Sequence, residues 1–263
     1  MKLINDSYYT PIEIAHRLCD LTFEIIGKEN ITDIIEPSAG NGAFSNYLEC
    51  TAYDINPQAE NIIKSNFLTQ PLTYKKGRLF IGNPPFGNSL HLARKFYEKC
   101  CLYGDYIAFI LPISQLNNNL QFYKFDLVCS EDLGVADYSG VTLHCVFNIY
   151  RRPENGSLNS KPNVKLDDIQ IREYRRGTTI DVPLGYDYAM CNWGNGTLGK
   201  VPKYVGEYAQ EVYFYCKDKS LVNKLIEILS YDKIRSYVQS ISMKKISVAR
   251  LYLYIRENIP NVK

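Results

Sequence analysis

Residues 34–44 of this 263-residue chain read Ile-Ile-Glu-Pro-Ser-Ala-Gly-Asn-Gly-Ala-Phe, an apolar, β-branched run followed closely by two glycines. The run predicts a buried strand, and the residues from 43 onward predict a helix. Glycine lets the backbone pass close under a ligand at such a turn, and the start of a helix offers unpaired N–H groups. The stretch therefore indicates a strand, a tight glycine turn and a helix, as in nucleotide-type binding loops.

The glycine turn does not have the features of a phosphate site. Ser45 stands where the dinucleotide fingerprint has its third glycine, and no Lys-Ser/Thr pair follows as in a P-loop. Glu36, at the carboxyl end of the predicted strand, would repel a phosphate and attract a cation such as a sulfonium or an ammonium. A turn that binds no ligand is the alternative interpretation of this stretch taken alone.

A second short predicted strand, residues 50–55, contains an acidic residue at its end, Asp54. A carboxylate at this distance from a glycine loop can accept hydrogen bonds from the ribose hydroxyls of an adenosine moiety. Capping of a helix that begins at Asn56-Pro57 is the alternative role. Further along, Asn66 follows in a loop where its amide could contact an adenine edge.

Residues 83–86 read Asn-Pro-Pro-Phe and follow the apolar run 79–82. Neither proline has an N–H to donate, and each holds the preceding residue extended, so the predicted strand must end here. Two acceptors, the Asn83 amide oxygen and the Pro84 carbonyl, then lie beside the Phe86 ring. Such a group can bind the exocyclic amino group of a flat base; a strand-terminating turn is the alternative.

The order of these motifs carries a family resemblance. Tyr9-Thr10-Pro11, the glycine loop, Asp54 and the Asn-Pro-Pro-Phe tetrapeptide resemble the S-adenosylmethionine-dependent DNA adenine-N6 methyltransferases of the gamma group over about residues 8–150. The resemblance implies a Rossmann-like class I methyltransferase fold with a mostly parallel sheet, S-adenosylmethionine as cofactor and DNA, duplex DNA in particular, as partner. It leaves open a companion restriction endonuclease and the oligomeric state.

The resemblance also implies roles for the matched positions. For the cofactor these are Thr10, Pro11, Glu36, Ala39, Gly40, Gly42, Asp54 and Asn66, the last standing where the family usually has Asp. For catalysis they are Asn83, Pro84, Pro85 and Phe86. Residues 143–150 resemble the family's last sheet motif, and alignment on them places Tyr138 as a second aromatic that sandwiches a flipped base.

Charge separates the two halves of the chain. Residues 1–150 carry 11 Lys+Arg against 16 Asp+Glu, a balance of −5, whereas residues 151–263 carry 19 against 12, a balance of +7. This asymmetry suggests that the second half contacts a polyanion, with a solvated basic surface as the alternative. Tyrosines lie among the basic residues, and we predict Arg175, Arg176 and Lys203 as DNA contacts.

Helices and strands alternate over the first 150 residues, which predicts a parallel sheet. The predicted helices are 11–27, 42–49, 57–64, 88–102 and 116–124, and the predicted strands are 31–36, 50–55, 79–82, 105–112, 126–130 and 143–150. The turn-rich stretch 151–162 predicts a domain boundary. We therefore expect a catalytic cofactor-binding domain at 1–150 and a small basic α/β region for target recognition at 151–263, with helices at 219–230 and 246–257.

The composition of the chain argues against membrane-spanning, secreted and metal-binding proteins. With 46% hydrophobic residues the chain can bury a full core, and no apolar run reaches the ~18 residues of a membrane span. The first six residues turn polar too early for a signal peptide. The eight cysteines form no C-x-x-C pair, which favours a reducing, cytoplasmic compartment and argues against structural zinc; with three histidines, no catalytic metal is expected.

Three functions from different classes remain after this reasoning. The first is a DNA adenine-N6 methyltransferase, which would flip its target base out of the stack. The second keeps the reaction but acts on RNA adenine or on a protein glutamine amide, as release-factor methyltransferases do. Their tetrapeptide usually ends in Tyr and their extra domain precedes the fold. The third is a nucleic-acid-binding module without catalysis.

Overall fold

The computed structural model describes residues 8–179, 181–194, 196–240 and 245–263. The chain divides into two compact units, Met1–Lys161 and Pro162–Lys263. The division falls at the carboxyl end of the turn-rich stretch 151–162.

A seven-stranded sheet forms the centre of the first unit. Its strands are β1 (Asp33–Glu36), β2 (Thr51–Asp54), β3 (Ile63–Lys64), β4 (Arg78–Gly82), β5 (Tyr106–Pro112), β6 (Asp126–Asp137) and β7 (Thr142–Arg151). They lie in the order β3-β2-β1-β4-β5-β7-β6. The first five strands are parallel, and β7 runs antiparallel between β5 and β6. The predicted Rossmann-like α/β fold with a mostly parallel sheet is confirmed.

Helices α1 (Ile12–Ile26) and α2 (His91–Tyr103) cover opposite faces of this sheet, both close to their predicted positions. Alternate residues of a strand point to opposite faces, and β4 shows this directly. Leu79 and Ile81 belong to the core that α1 covers, whereas Phe80 belongs to the core that α2 covers. Both faces of the central strands are therefore buried, and their carboxyl ends remain as the edge where loops gather.

The helix predicted at 42–49 is wrong. Residues 40–47 form consecutive turns instead, although bonds such as Asn46 N to Gly42 O (2.9 Å) have helical spacing. The series is interrupted because the Ser45 N–H donates to Glu36 Oε2 at 2.9 Å rather than to a carbonyl four residues earlier. A tertiary hydrogen bond to a buried carboxylate thus competes with the helix.

The helices predicted at 57–64 and 116–124 are also wrong. In the first, Gln58 N donates to Gly40 O at 2.8 Å, and the segment ends as β3, paired with β2. In the second, Asn117 has a φ of +46°, and the Asn118 side chain bonds both Ser114 O and Leu120 N. Asparagine side chains offer the backbone such local partners, which favour turns over helix.

The second unit combines a small sheet with three helices. Strands β8 (Ile169–Arg175), β9 (Tyr188–Cys191) and β10 (Gln210–Cys216) form an antiparallel sheet in the order β8-β10-β9. Helices α3 (Leu221–Ile228) and α5 (Val248–Asn258) match the predicted ones, and α4 (Tyr231–Ser240) was not predicted. Across the ranges given above, none of the helices combines the length and the apolar character that a membrane span requires.

Candidate functional site

A cavity of about 540 Å³ opens at the carboxyl ends of β1, β2 and β4. This volume falls within the range of small-molecule pockets. The predicted residues that line it are Gly40, Asp54, Asn66, Asn83 and Pro85. Parallel strands end at one edge of the sheet, so loops that are far apart in sequence meet there.

Other lining residues were not predicted from the sequence. Tyr8 and Ser38 directly flank predicted motifs, whereas Leu92 and Phe96 lie one turn apart on α2. The spacing of Leu92 and Phe96 indicates a buried helix face, and nothing in it separates a cavity wall from ordinary core. Only the position of α2 beside the strand ends makes these two residues part of the site.

The Asn83 side chain is oriented by the amino-terminal segment. Its Nδ2 donates to the Tyr8 carbonyl at 2.9 Å and to Thr10 Oγ1 at 3.3 Å. A carbonyl can only accept, so the amide nitrogen must face Tyr8 and the amide oxygen must point away from it. No donor in the described part of the chain reaches Asn83 Oδ1. Ser38 Oγ donates to the backbone carbonyl of Asn83 at 3.1 Å and fixes the loop as well.

The remaining tetrapeptide residues lie around this amide. Pro84 is buried, and among the described residues no donor reaches its carbonyl. Phe86 is half-buried, with its ring centroid 6.1 Å from that of Tyr8. Two acceptors without a donor, the Asn83 amide oxygen and the Pro84 carbonyl, thus belong to consecutive residues, whereas Phe86 itself does not line the cavity.

Asp54 fixes the glycine loop. Its Oδ2 accepts from Gly40 N at 2.8 Å, and its Oδ1 accepts from Asn56 N at 2.7 Å. Because no helix follows Asp54, the alternative role as a helix cap is ruled out. A carboxylate has about four acceptor positions, so each oxygen can still accept a hydrogen bond from a ligand.

Gly40 is required by its surroundings. Its φ is +55°, and a Cβ added there would lie 2.8 Å from the Tyr9 ring. A side chain would therefore strain the backbone and displace a ring that lines the cavity. This explains the glycine that the sequence pattern singled out.

Asn66 begins a short turn at Phe67–Thr69. Its Oδ1 accepts from Leu68 N at 3.0 Å and keeps a second acceptor position, and its amide nitrogen makes no hydrogen bond among the described residues. Asn66 can therefore donate to a ligand, which an ionised aspartate in this position could not do. A hydrogen bond to a purine ring nitrogen suits this arrangement.

Glu36 does not line the cavity, and the prediction that it attracts a cation there is corrected. The residue is 1% exposed, its Oε2 accepts from Ser45 N, and its Cγ lies against Gly82. Burial raises the pKa of this carboxyl to about 8. Its role in the fold is to hold the turns that follow the glycine loop.

Four further residues that were predicted to bind the cofactor do not line the cavity. Thr10 is buried and bonded to Asn83, and Pro11 precedes α1. Ala39 is buried, and its N–H donates to Tyr53 O at 2.9 Å. Gly42 has a φ of +83°, and its N–H donates to Ala39 O at 2.8 Å. These residues support the site without lining it.

Tyr138 is a core residue, and its predicted stacking on a base is wrong. The ring is fully buried in the cluster that α1 covers. Burial, together with the neighbouring Cys145, raises its pKa. Tyr138 lies in the turn between β6 and β7, where its N–H donates to Val141 O at 2.9 Å, and a match to β7 alone does not determine where a side chain of this turn points.

The three predicted DNA contacts lie in the second unit and are exposed. Arg175 Nη2 is 3.6 Å from Glu173 Oε2, and Arg176 Nη1 donates to Gly206 O at 3.5 Å. The backbone N–H of Lys203 donates to Glu207 Oε2 at 2.6 Å. In the parts of the chain that the structure covers, His, Cys, Asp and Glu side chains nowhere gather in a group of three or more that could hold a metal ion.

No protein-family model matches the chain, and no curated protein matches it either. Solved structures with a similar backbone include a candidate class I S-adenosylmethionine-dependent methyltransferase from Listeria monocytogenes. It has 13% identity and a TM-score of 0.47, over 58% of this chain and 63% of that one. The chain thus spans less than two thirds of the Listeria protein.

Two further similar structures are named methyltransferases. The 23S rRNA methyltransferase ErmE has 13% identity and a TM-score of 0.41, over 56% of this chain and 70% of its own. The magnesium protoporphyrin IX methyltransferase of Synechocystis, crystallised with bound S-adenosylmethionine, has 8% identity and a TM-score of 0.38, over 54% and 82%. With such scores and identities, none of these likenesses assigns an activity or a substrate to this chain.

Proposed function

We propose that the chain transfers a methyl group from S-adenosylmethionine to the N6 amino group of adenine in DNA. The observation that carries the proposal is the orientation of Asn83. Its amide nitrogen is bound by Tyr8 and Thr10, so its oxygen faces away as an acceptor beside the Pro84 carbonyl. Two such acceptors match the two N–H bonds of a primary amino group.

The cavity suits the proposed cofactor. S-adenosylmethionine supplies an activated methyl group on a sulfonium when it is bound. Asp54 would accept from the ribose hydroxyls, Asn66 would donate to the adenine edge, and Phe96 would provide apolar contact. Asp54 is the only carboxylate among the described lining residues, and a negative charge favours a cationic ligand over a phosphate.

The side chains can activate an adenine amine without a general base. The N6 lone pair is delocalised into the ring, and hydrogen bonds from both N–H groups to Asn83 Oδ1 and the Pro84 carbonyl would draw it back toward the nitrogen. Holding the amine in a fixed position contributes up to several kcal/mol of the barrier. The Phe86 ring would stack on the base that carries the amine.

The test uses the full chain with isotopically labelled S-adenosylmethionine and four acceptors: duplex DNA, single-stranded DNA, RNA, and a glutamine-containing peptide. We expect label in DNA, recovered as N6-methyladenine after digestion to nucleosides. Label in RNA alone or in the peptide alone would show that the substrate is RNA or protein and not DNA. A chain that binds DNA and the cofactor but transfers no label to any acceptor would overturn the reaction itself.

The role of the tetrapeptide is tested with the variant Asn83→Ala, and Asn61→Ala is its matched control. Asn61 is an exposed asparagine of the same unit that bonds Asn46 and lies outside the cavity lining. Asn61→Ala should retain full transfer. A loss in this variant would point to general damage to the fold.

A further inference from the structure

Two loops meet at one end of the small sheet in the second unit. They are the loop that follows β8, residues 175–179, and the connection from β9 to β10, described at 192–194 and 196–209; together we term them the basic loop cluster. We propose that this cluster binds a nucleic-acid strand through its unpaired bases, with Trp193 and Tyr204 as stacking faces. The choice of nucleic acid as partner rests on the proposed function.

The strand pairing brings the two loops together. Arg175 at the end of β8 pairs with Gln210 at the start of β10, and Cys191 at the end of β9 pairs with Glu211. The ends of β8 and β9 therefore lie at the same edge as the start of β10. Hydrogen bonds continue the ladder into the loops, as from Arg176 N to Ala209 O (3.1 Å) and from Cys191 N to Lys200 O (2.8 Å).

A buried carboxylate holds the longest of these loops in place. Glu211 is fully buried and accepts from Gly206 N and Tyr208 N, both at 2.8 Å, and from the Tyr213 hydroxyl. The Lys203 N–H in turn donates to Glu207 Oε2 at 2.6 Å. A loop ordered before binding loses less conformational entropy on contact with a partner.

Two large aromatic side chains of the cluster are exposed. Trp193 is 50% exposed and Tyr204 is 64% exposed, although rings of this size are usually mostly buried. In the described ranges, neither ring stacks on another aromatic ring of the protein. Their faces are therefore available to a planar partner, and stacking on bases tolerates any sequence.

The charges around these rings complement a phosphate backbone. The exposed cations of the cluster are Arg175, Arg176, Lys200 and Lys203. The acidic groups facing them are Glu207, whose carboxylate accepts from the Lys203 backbone, and Glu173, which lies beside Arg175. Glu173 is itself paired with Lys245 at 2.7 Å, so positive charge remains in excess.

The combination of cations with exposed rings favours unpaired bases over a duplex. In a duplex the base faces are stacked on each other and only the end pairs expose a face. A strand with free bases can place its phosphates on the cations while its bases lie on Trp193 and Tyr204. This is the partner that fits both features of the cluster.

The chain contains one tryptophan, so fluorescence excited at wavelengths that tyrosine does not absorb reports on Trp193 alone. The full chain, without cofactor, is titrated with a deoxythymidine oligomer, an oligouridine of equal length and a blunt duplex. We expect saturable quenching by the unpaired strands and binding of the duplex at least about tenfold weaker. Saturation by either DNA or RNA supports the proposal, and the tighter of the two identifies the strand.

Substitutions then test the aromatic contact by anisotropy of a labelled oligomer. Tyr204→Ala should weaken binding about 5- to 100-fold, whereas Tyr204→Phe, which keeps the ring, should stay within about threefold. Lys217 is an exposed cation beyond the opposite end of β10, and Lys217→Ala should leave affinity unchanged. Circular dichroism confirms that each variant is folded.

The outcomes separate this proposal from the proposed function. Quenching and a loss on Tyr204→Ala without methyl transfer to any acceptor would leave the basic loop cluster as a binding surface and remove the reaction. Normal methyl transfer with no quenching, with duplex bound as tightly as single strands, or with Tyr204→Ala and Lys217→Ala behaving alike would overturn the cluster proposal alone.

Discussion

The two units of the chain present polar groups in opposite ways. In the first unit, Asp54 and Asn83 line a cavity, and each is already held by hydrogen bonds to the backbone. In the second unit, Lys200 and Lys203 are exposed, and among the described residues their side chains make no hydrogen bond. The difference teaches that the polar groups of the cavity are fixed before any ligand arrives, as the proposed chemistry requires, whereas the proposed recognition of a polyanion needs cations only near it.

The largest effect is expected in the first unit. Asn83→Ala removes one fixed acceptor and should lower the rate of methyl transfer about 10²- to 10³-fold. Cofactor affinity, measured by calorimetry, should stay within about threefold because the side chain acts on the amine. A variant that transfers methyl groups at the parent rate with a folded spectrum would remove Asn83 from catalysis.

The next effect concerns the glycine loop. Asp54→Ala should weaken S-adenosylmethionine binding about 10- to 100-fold, in the range for hydrogen bonds that involve a charged group. It should also lower the melting temperature, since Gly40 and Asn56 lose their acceptor. Glu49→Ala, which removes an exposed acid, is the control. Unchanged cofactor affinity with a lowered melting temperature would restrict Asp54 to holding the loop.

In the second unit we expect a distributed electrostatic effect. Replacing Arg175, Arg176 and Lys203 with alanine should weaken binding of all DNA sequences several-fold. It should also flatten the slope of log K against log salt by about 2 to 3, less than one unit for each lost phosphate contact. Alanine at Lys165, Lys217 and Lys224 removes the same charge elsewhere in the unit. Equal slopes for the two triple variants would show that DNA binds to another surface of the protein.

A smaller effect is expected at Thr10, and it distinguishes a residue that positions Asn83 from one that binds the cofactor. Thr10→Val removes the hydroxyl that accepts from Asn83 and should lower kcat about fivefold, the worth of one ordinary hydrogen bond. The KM for S-adenosylmethionine should not change, and Thr10→Ser should restore the rate. A raised cofactor KM with normal kcat would instead give Thr10 the cofactor role that the family resemblance implies.

The smallest effect on activity is expected for Glu36→Gln, because this carboxyl lies outside the cavity lining. Burial raises its pKa from about 4.5 to about 8, so the fold favours the protonated form. That stabilisation is complete below about pH 4.5 and is lost as the pH rises through about 8. Denaturant unfolding should therefore show the parent losing stability relative to the variant across this window. Parallel pH profiles would contradict the shifted pKa.

Local sequence patterns were enough for six of the seven strands described in the first unit and for the glycine loop; β3 lies in a predicted helix, and β8, β9 and β10 were not predicted. Continuous apolar runs such as 79–82, stopped by proline or glycine, predict buried parallel strands regardless of their partners. The helix predicted at 42–49 failed for the opposite reason. The Ser45 N–H donates to the Glu36 carboxylate, a partner on β1 that local sequence patterns do not reveal.

The residues of the candidate site also fall into two groups, those that the sequence predicts and those that it does not. Asn83, Asp54 and Gly40 could be predicted because their chemistry is unusual at a strand end. Tyr8 could not be predicted, since it acts on Asn83 through a backbone carbonyl that every residue possesses. The exposed rings of Trp193 and Tyr204 were equally hidden, because burial cannot be read from residue type.

The sequence by itself determined the Rossmann-like alternation, the motifs at the strand ends and the basic second half, because these depend on residue types and short spacings. Only the tertiary structure decided which residues line the cavity, that Glu36 and Tyr138 are buried, and that two loops of the second unit meet at one edge. These outcomes depend on contacts between distant segments, and such contacts exist only once the sheets have assembled.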